Sequence, residues 1–496
     1  MNQDRVGNLT RPQVAVLAGV VAVGCLLRIS YYGRGFSFFH DECALALNIG
    51  RRSYAALSTT LAYDQAAPLG FLYLIKVFMT AFGRSEGVLR LLPLLCGIGA
   101  IACFYRLSSQ FLSGWFLVGA NALLCVNQVA ISYSSQTKQY SGELLVATLM
   151  LLLSIPMLRS HCRSRVFWTN SVVLASLLWF SFSAIFVLAG IGLALALREF
   201  SQGNMASRRR LMAVLSLWSL LLVPVYIWSV RPGLANPALR AMWVQEYFPW
   251  HTLAQAPRWL FDRFIEVSTN NFNKRLWFLA AVSILFGVAS IIRRRDMVMI
   301  AGCGAVLACL GGAVVQKYPF HGRLLLFLAP VIILLTVLGY EWIRSPFPRW
   351  ARAGLDGVAG LAVLWCTASA VNAYGVRPGF SDEPREALRY VRANWQPGDR
   401  VYATPSSTPC MLYYQRFADI PSSAIVLDVS AVDGAEHVPT ALSAPVAPGR
   451  DWLLEMRTPW EKRGESVPVY EYFESRGRLI KQMDVEWTSA LLFEVH

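Results

Sequence analysis

The sequence predicts a polytopic α-helical membrane protein of about eleven spans, followed by a C-terminal α/β domain outside the bilayer. Three observations predict this class. Hydrophobic residues make up 55% of the 496 residues and charged residues only 15%. The mean hydropathy is +0.44, and apolar runs long enough to cross a bilayer recur until Tyr374. A soluble fold could not bury this much apolar surface.

The spans follow from a window of about twenty residues, the length that a bilayer requires of a helix. They lie at 13–32, 88–107, 115–133, 141–158, 166–181, 183–198, 211–230, 276–292, 297–315, 323–341 and 354–372. One further apolar stretch, "PLGFLYLIKVFMTAFG" (68–83), is predicted to lie in or dip into the outer interface, with Pro68 at its first turn.

The basic loops predict the orientation. The clusters at 159–165, 208–210, 293–296 and 344–352 all fall on one side if the N-terminus is cytoplasmic. A crossing at 68–83 would move all of them outside. The formal net charge of +15 comes mainly from such clusters, so membrane lipids explain it and no nucleic-acid partner is predicted. The ten cysteines include no CxxC, which argues against a disulfide or metal framework.

This orientation places the polar loops on the outer side. They are "SFFHDEC" (37–43), "YDQAAP" (63–68), "SYSSQTKQYSGE" (132–143), the long loop 231–275 and "QKYPFHGR" (316–323). The spans between them are almost free of ionisable residues. Charge near the middle of a span is expected of a transporter or flippase, so this distribution favours chemistry at the membrane surface.

Beyond Tyr374 the composition becomes that of a soluble domain, and we predict a boundary between a membrane domain at 1–375 and an α/β domain at 376–496. "SDEPREALRYVRANW" predicts an amphipathic helix with acidic residues in its first turn. Strand-like segments follow at 400–404, 424–429, 451–456 and 491–495. The orientation places this domain on the outer side, and no glycine-rich phosphate loop is present.

These motifs together resemble the GT-C superfamily of integral-membrane glycosyltransferases. The resemblance rests on the acidic pair after the first span, on the stretches at 64–95, 132–145 and 318–335, and on the outer α/β domain. It is to the branch of protein O-mannosyltransferases, lipid A aminoarabinose transferases and rhizobial-type galacturonosyltransferases. The resemblance implies a polyprenyl-phosphate sugar donor, a glycolipid, glycan or protein acceptor, and reaction at the outer face of the cell (inner) membrane.

The chemistry of such a transfer suggests roles for residues. An acceptor hydroxyl is a poor nucleophile, so a carboxylate must remove its proton, and Asp41 or Glu42 would be this base. The resemblance places the carboxylate of the family at Asp41. The leaving group is an anionic lipid phosphate, which Lys138, His321 and Arg323 would bind. The candidates for substrate contacts are His40, Asp64, Gln65, Tyr140 and Glu143. A divalent cation, with His40 among its ligands, stays an alternative.

Each candidate also has a structural explanation. Asp41 and Glu42 could cap a helix, and Arg323 could snorkel to the interface. Arg28 could pair with the acidic residues or snorkel. The aromatic loop at 242–253 could be an interfacial belt or a lid over the donor. The competing functions are a transporter or flippase of a lipid-linked saccharide, and a membrane receptor whose outer domain binds a ligand.

Overall fold

The computed structural model describes residues 9–159, 163–202, 205–272, 274–376, 383–427, 448–456, 467–485 and 487–496. The chain divides into two compact units. Residues 1–34 and 54–378 form the first, which we call the membrane unit, and residues 35–53 and 379–496 form the second, which we call the α/β unit. The predicted boundary at 375 lies close to the start of the second long segment. The grouping of 35–53 with the C-terminal part was not predicted.

The α-helices follow in chain order: α1 Arg11–Gly33, α2 His40–Arg51, α3 Leu69–Phe82, α4 Glu86–Ser108, α5 Gly114–Cys125, α6 Gln128–Tyr133, α7 Tyr140–Arg159, α8 Ser164–Ser176, α9 Ala184–Gln202, α10 Met205–Val225, α11 Arg231–Leu234, α12 Pro237–Met242, α13 Ala256–Asn271, α14 Trp277–Arg294, α15 Met297–Val314, α16 Ala329–Arg344, α17 Arg349–Ala370, α18 Pro384–Ala393, α19 Thr408–Ala418 and α20 Val467–Arg476. The strands are β1 Arg400–Ala403, β2 Ile425–Val426, β3 Gly449–Met456, β4 Gly477–Val485 and β5 Thr488–Val495.

Within the described residues, nine helices are long and apolar enough to cross a membrane. They are Arg11–Gly33, Glu86–Ser108, Tyr140–Arg159, Ala184–Ser201, Met205–Leu234, Trp277–Arg294, Met297–Val314, Gly322–Arg344 and Arg349–Val376. Each contains one predicted span or most of one. The chain is therefore a multi-pass membrane protein, as the sequence predicted.

Two other predicted spans are interrupted helices. The span predicted at 115–133 divides into α5 and α6, and the one at 166–181 is α8 followed by a short 3-10 helix at Leu177–Trp179. The predicted interfacial stretch forms α3, whose 14 residues extend about 21 Å at 1.5 Å per residue. This length is well short of the roughly 30 Å hydrocarbon core.

The break between α5 and α6 has a local cause. The side chain of Asn127 accepts a hydrogen bond from the backbone of Ala130 at 2.8 Å, and so caps the start of α6. At the end of α5, the buried Arg28 donates to the Cys125 carbonyl at 2.9 Å and to that of Leu124 at 3.4 Å. Carbonyls at a helix end inside a membrane need such internal partners. Arg28 therefore caps a neighbouring helix, which is neither of the two roles that the sequence suggested.

Glycines allow two pairs of long helices to pack closely. A Cβ atom at Gly190 of α9 would collide with the backbone of Ala301 in α15. In the same way, a Cβ at Gly339 of α16 would collide with the backbone of Ser283 in α14. Small residues at such crossings let membrane helices gain dispersion contacts that lipid does not displace.

The α/β unit contains one sheet with the strand order β2-β1-β3-β5-β4. Strand β1 is parallel to β2 and β3, whereas β5 runs antiparallel to β3 and β4. The segment predicted as a strand at 424–429 forms only β2, and its residues 428 and 429 lie outside the described residues. The edge strand β4 was not predicted, because polar and apolar residues do not alternate regularly in its sequence "GRLIKQMDV".

The segment 35–53 is held within the α/β unit by contacts with α19. The fully buried ring of Phe38 lies 5.1 Å from that of Tyr413, and the Phe38 N–H donates to the Tyr414 hydroxyl at 2.8 Å. Helix α2 follows directly and packs on α19 through its buried apolar face. The acidic pair is therefore carried by a helix of this unit.

Candidate active site

The two acidic residues at the start of α2 have different surroundings. The side chain of Glu42 is fully buried, and its Oε2 accepts a hydrogen bond from the Phe39 N–H at 3.2 Å. This contact caps the helix, as the structural alternative proposed. The side chain of Asp41 is 17% exposed, and its Oδ1 lies 3.2 Å from Nε2 of His40. Of the pair, Asp41 is the carboxylate that solvent can reach.

The imidazole of His40 contacts the carboxylate of Asp41. Among the residues that the structure describes, no group of three or more His, Cys, Asp or Glu side chains could hold a metal ion. The contact with Asp41 fits a role for His40 in orienting the carboxylate.

In the membrane unit, Lys138 and Gln65 lie together. The Lys138 ammonium donates to Gln65 Oε1 at 2.7 Å, and the two residues are only 6% and 7% exposed. Gln65 Nε2 in turn donates to the Tyr63 carbonyl at 3.0 Å. Because burial of an ammonium is costly unless polar partners compensate it, the contact with Gln65 stabilises the charge at this position.

The turn that carries Gln65 has an unusual backbone. Tyr63 and Asp64 both lie in the left-handed region, with φ of +58° and +50°, which costs free energy for residues other than glycine. Asp64 Oδ1 accepts a hydrogen bond from Asn236 Nδ2 at 3.0 Å, which ties the turn to the long loop 231–275. The structure thus joins three predicted residues, Asp64, Gln65 and Lys138, in one network.

A mainly apolar recess adjoins this network. Gln65 is one of its lining residues, and Trp228 of the long helix Met205–Leu234 is another. The remaining lining residues are Leu57, Thr59, Leu61, Ala66, Ala67, Leu69, Leu72, Ser229, Pro232 and Gly233. The recess is small, with room for about one water molecule.

Arg323 and Tyr140, predicted from separate loops, also lie together. The Arg323 guanidinium is 5.6 Å from the centre of the Tyr140 ring, within the range of a cation–π contact. Tyr140 is buried at the start of α7, and its ring packs edge-on against Tyr133 at 4.8 Å. Arg323 is half-buried, and its guanidinium lies over the Tyr140 ring.

His321 lies in an ion-pair cluster, which we call the outer-loop cluster, with Glu246, Arg263 and Glu266. Its Nδ1 is 2.8 Å from Glu266 Oε1 and 3.2 Å from Glu246 Oε2. Hydrogen bonds to Glu246 and Glu266 raise the pKa of the imidazole to about 9, and the contact with His321 lowers the pKa of Glu246. His321 is therefore cationic at neutral pH, but carboxylates already compensate its charge, which favours a structural role.

Sequence reasoning did not single out the other three members of this cluster. Arg263 and Glu266 are 2.8 Å apart and one turn of α13 apart, a spacing that the sequence displays. Glu246 comes from a short 3-10 helix at Val244–Glu246 and also contacts Arg263. Its pairing with His321 depends on the fold, so no local pattern could have shown it.

Glu143, a predicted substrate contact, is buried inside the membrane unit. Its Oε1 accepts a hydrogen bond from the Phe182 N–H at 3.2 Å, in the connection that leads into α9. This contact satisfies a backbone donor that lipid could not, so the surroundings of Glu143 favour a structural role.

The fold resembles that of solved membrane transferases. The crystal structure of ArnT from Cupriavidus metallidurans in the apo state aligns with 96% of this chain and 98% of its own, with a TM-score of 0.56 and 11% identity. The structure of ArnT bound to undecaprenyl phosphate aligns with 97% of each chain, with a TM-score of 0.53 and 12% identity.

A second neighbour comes from an archaeon. The oligosaccharyltransferase AglB from Archaeoglobus fulgidus, solved with an inhibitory peptide and a dolichol-phosphate, aligns with 81% of this chain and 63% of its own. The TM-score is 0.52 and the identity 12%. No protein-family model matches this sequence, and no curated protein sequence matches it either. ArnT and AglB are both GT-C glycosyltransferases, and this chain therefore has the GT-C fold that the sequence predicted.

Proposed function

We propose that the chain is a glycosyltransferase that moves a sugar from a polyprenyl-phosphate donor to a hydroxyl of a glycolipid, glycan or protein. The fold supports this proposal, because the chain aligns over almost its whole length with ArnT, one structure of which contains undecaprenyl phosphate. The basic loops support a reaction at the outer face of the inner membrane. The donor and membrane lipids would be its partners there.

The observation that carries the proposal is the buried Lys138–Gln65 pair. A polyprenyl phosphate is an amphiphile with an anionic head and an apolar chain. A buried ammonium provides a charge-assisted partner for the head, and the apolar helices of the membrane unit are compatible with the chain. Arg323, held over Tyr140, would provide a second cation with a planar fork that can grip two phosphate oxygens.

The proposed reaction is a displacement at the anomeric carbon. Asp41 takes the proton of the acceptor hydroxyl while the hydroxyl oxygen bonds to the anomeric carbon. The bond between the anomeric carbon and the phosphate oxygen breaks, and the polyprenyl phosphate leaves with the electron pair. Lys138 and Arg323 stabilise the negative charge that builds on this departing oxygen.

The kinetic test uses purified protein and a short-chain polyprenyl-phosphate sugar. Lys138→Ala and Arg323→Ala should each cost on the order of 2–4 kcal/mol of transition-state stabilisation, and should lower turnover as well as donor affinity. Arg323→Lys should recover only part of the loss, because an ammonium cannot grip two oxygens at once. Mass spectrometry of envelope glycolipids and glycoproteins, with and without the gene, identifies the sugar that is transferred. The donor for the assay carries that sugar.

The matched control is Arg258→Ala, which removes an arginine of α13 whose side chain is 86% exposed. It should leave turnover unchanged. If Lys138→Ala and Arg323→Ala both behave like this control, the two cations do not bind the donor phosphate, and this proposal is wrong about the site.

A further inference from the structure

We propose that Glu266 and Asn270 of α13 are positioning residues for Arg323, so that the long outer loop takes part in donor binding without touching the donor. This inference rests on the role of Arg323 proposed above. Its starting point is the backbone of Gly322, whose N–H and carbonyl both contact α13. Glu266 Oε1 accepts a hydrogen bond from the Gly322 N–H, and Asn270 Nδ2 donates to the Gly322 carbonyl at 3.3 Å.

The two contacts come from one surface of a single helix. Glu266 and Asn270 are four residues apart in α13, a spacing that places their side chains on the same face. Glu266 binds the N–H of Gly322, and Asn270 binds its carbonyl oxygen. Rotation of this residue about its backbone would therefore break at least one contact with the same helix.

The conformation of Gly322 explains why its backbone needs these two contacts. Its φ is +53°, and a Cβ atom there would meet nothing within 4 Å. Glycine is needed for the backbone angle, not for space, and its freedom would otherwise let the turn take several conformations. Because Gly322 immediately precedes Arg323, the angles fixed at Gly322 set the direction in which the arginine leaves the chain.

Neighbouring contacts strengthen the same attachment. Arg263 donates to the Phe320 carbonyl at 3.1 Å, and its Nη1 lies 2.8 Å from Glu266 Oε2. His321 Nδ1 lies 2.8 Å from Glu266 Oε1. Helix α13 thus contacts Phe320, His321 and Gly322 in succession, and Glu266 is itself held by two cations.

A positioning role predicts a particular kinetic pattern. Small displacements of a catalytic group reduce transition-state stabilisation strongly. Asn270→Asp keeps the shape of the side chain but cannot donate to the Gly322 carbonyl, so we expect turnover to fall about tenfold with a smaller change in the KM for the donor. Asn270→Ala should behave alike, and Asn270→Gln, which can still donate, should recover part of the turnover.

The decisive experiment is a double-mutant cycle with a short-chain polyprenyl-phosphate sugar as the donor. If Asn270 acts through Arg323, Asn270→Asp should cause no further loss in an Arg323→Ala background. Glu266→Ala should show the same non-additivity. Arg258→Ala on the same helix should be without effect in either background. Thermal melting of each variant shows whether it is folded, and Gly322→Ala, which removes no contact, tests the same turn through its backbone angle.

The outcomes separate this inference from the proposed function. Wild-type turnover of Arg323→Ala would contradict the phosphate role of Arg323 itself. An impaired Arg323→Ala, combined with a loss from Asn270→Asp and Glu266→Ala that adds in full, would leave that role intact and overturn the positioning role. Wild-type turnover of Asn270→Asp, Glu266→Ala and Gly322→Ala together would overturn it as well.

Discussion

At the residue scale, Asp41 and Glu42 show how adjacent carboxylates acquire separate tasks. Glu42 is buried and engaged by the Phe39 N–H, whereas Asp41 keeps contact with solvent and with His40. We expect Asp41→Asn to reduce turnover by at least about 100-fold, because an amide cannot accept the proton. The protein should still fold and bind the donor. Turnover and donor affinity of the purified variant measure both expectations.

Glu42→Gln is the matched control for this substitution. The amide oxygen can still accept the Phe39 N–H, so turnover should stay near that of the wild type. Glu42→Ala should instead cost about 1 kcal/mol of stability, the usual effect of a lost helix cap. Full turnover of Asp41→Asn would remove the base from this helix. A loss confined to Glu42→Gln would assign the base to Glu42.

The outer-loop cluster predicts a pH dependence of stability. The folded-state pKa of His321, about 9, lies above the ordinary value of 6.5, so the protonated form stabilises the fold. This contribution is complete below about pH 6.5 and is lost as the pH rises through about 9. The side chain is 40% exposed, so solvent screening keeps the effect modest. Melting temperatures between pH 6 and pH 10 should show the decline.

His321→Gln provides the comparison. It removes the titrating group, so its melting temperature should change less across this range than that of the wild type. The acidic partners Glu246 and Glu266 and the cation Arg263 face the imidazole and remain in the variant. Parallel curves for the two proteins would show that another group causes the decline.

How much of the site the sequence could predict depends on the kind of residue. Asp64, Gln65 and Lys138 were chosen as polar residues of outer loops, and the fold does join them. His321 was chosen as a cation, but its carboxylate partners lie 55 and 75 positions earlier in the chain, at Glu266 and Glu246. The loop composition shows that charges are present, whereas their pairing is decided only by the fold.

At the element scale, hydropathy predicted where helices lie but not where they end. The run at 115–133 is apolar throughout, and the cap at Asn127 that divides it is a single residue. Arg28, which satisfies the end of α5, lies about a hundred positions earlier. A broken helix inside a membrane unit therefore depends on one local signal and one distant partner, and a window average detects neither.

Close helix packing in the membrane unit gives a prediction at this scale. Gly339→Ala should destabilise the pair α14–α16, since the added methyl group would collide with the Ser283 backbone, which cannot move aside as a flexible side chain could. Overpacking of this kind typically costs about 1–3 kcal/mol. A lower melting temperature in detergent would show it.

Gly354→Ala in α17 is the matched control, because a Cβ there meets nothing within 4 Å. Its melting temperature should be unchanged or slightly higher, as alanine favours a helix more than glycine does. Equal melting temperatures for Gly339→Ala and the wild type would mean that the two helices can separate at little cost.

At the scale of the whole molecule, the chain alternates between its two units. Residues 35–53 lie between α1 and α3 in sequence but belong with the C-terminal segment. Composition reveals a boundary where hydropathy changes, as it does after Tyr374. It does not reveal that a short segment packs on an element more than 300 positions later, as Phe38 does on Tyr413 and Tyr414.

The membrane topology follows from counting crossings and can be tested with an export-dependent reporter. With a cytoplasmic N-terminus, α1, α4, α5 and α7 precede Arg163. Four crossings would leave a reporter fused there in the cytoplasm and inactive. A fusion after Ser207 should also be inactive, because the adjacent arginines favour the cytoplasmic side. A fusion after His496 should be active.

The pattern across the three fusions identifies which helices cross. Within the part of the chain that the structure describes, nine helices are long and apolar enough to cross alone. If these nine crossed and α5 and α8 did not, Arg163 would follow three crossings, so its fusion alone would change and become active. If α3 crossed as well as the eleven predicted spans, the fusions after Arg163 and Ser207 would both be active and the one after His496 inactive. That last pattern would put the C-terminal segment in the cytoplasm while Asp41, which follows only α1, stayed outside, so it would contradict the grouping of residues 35–53 with that segment.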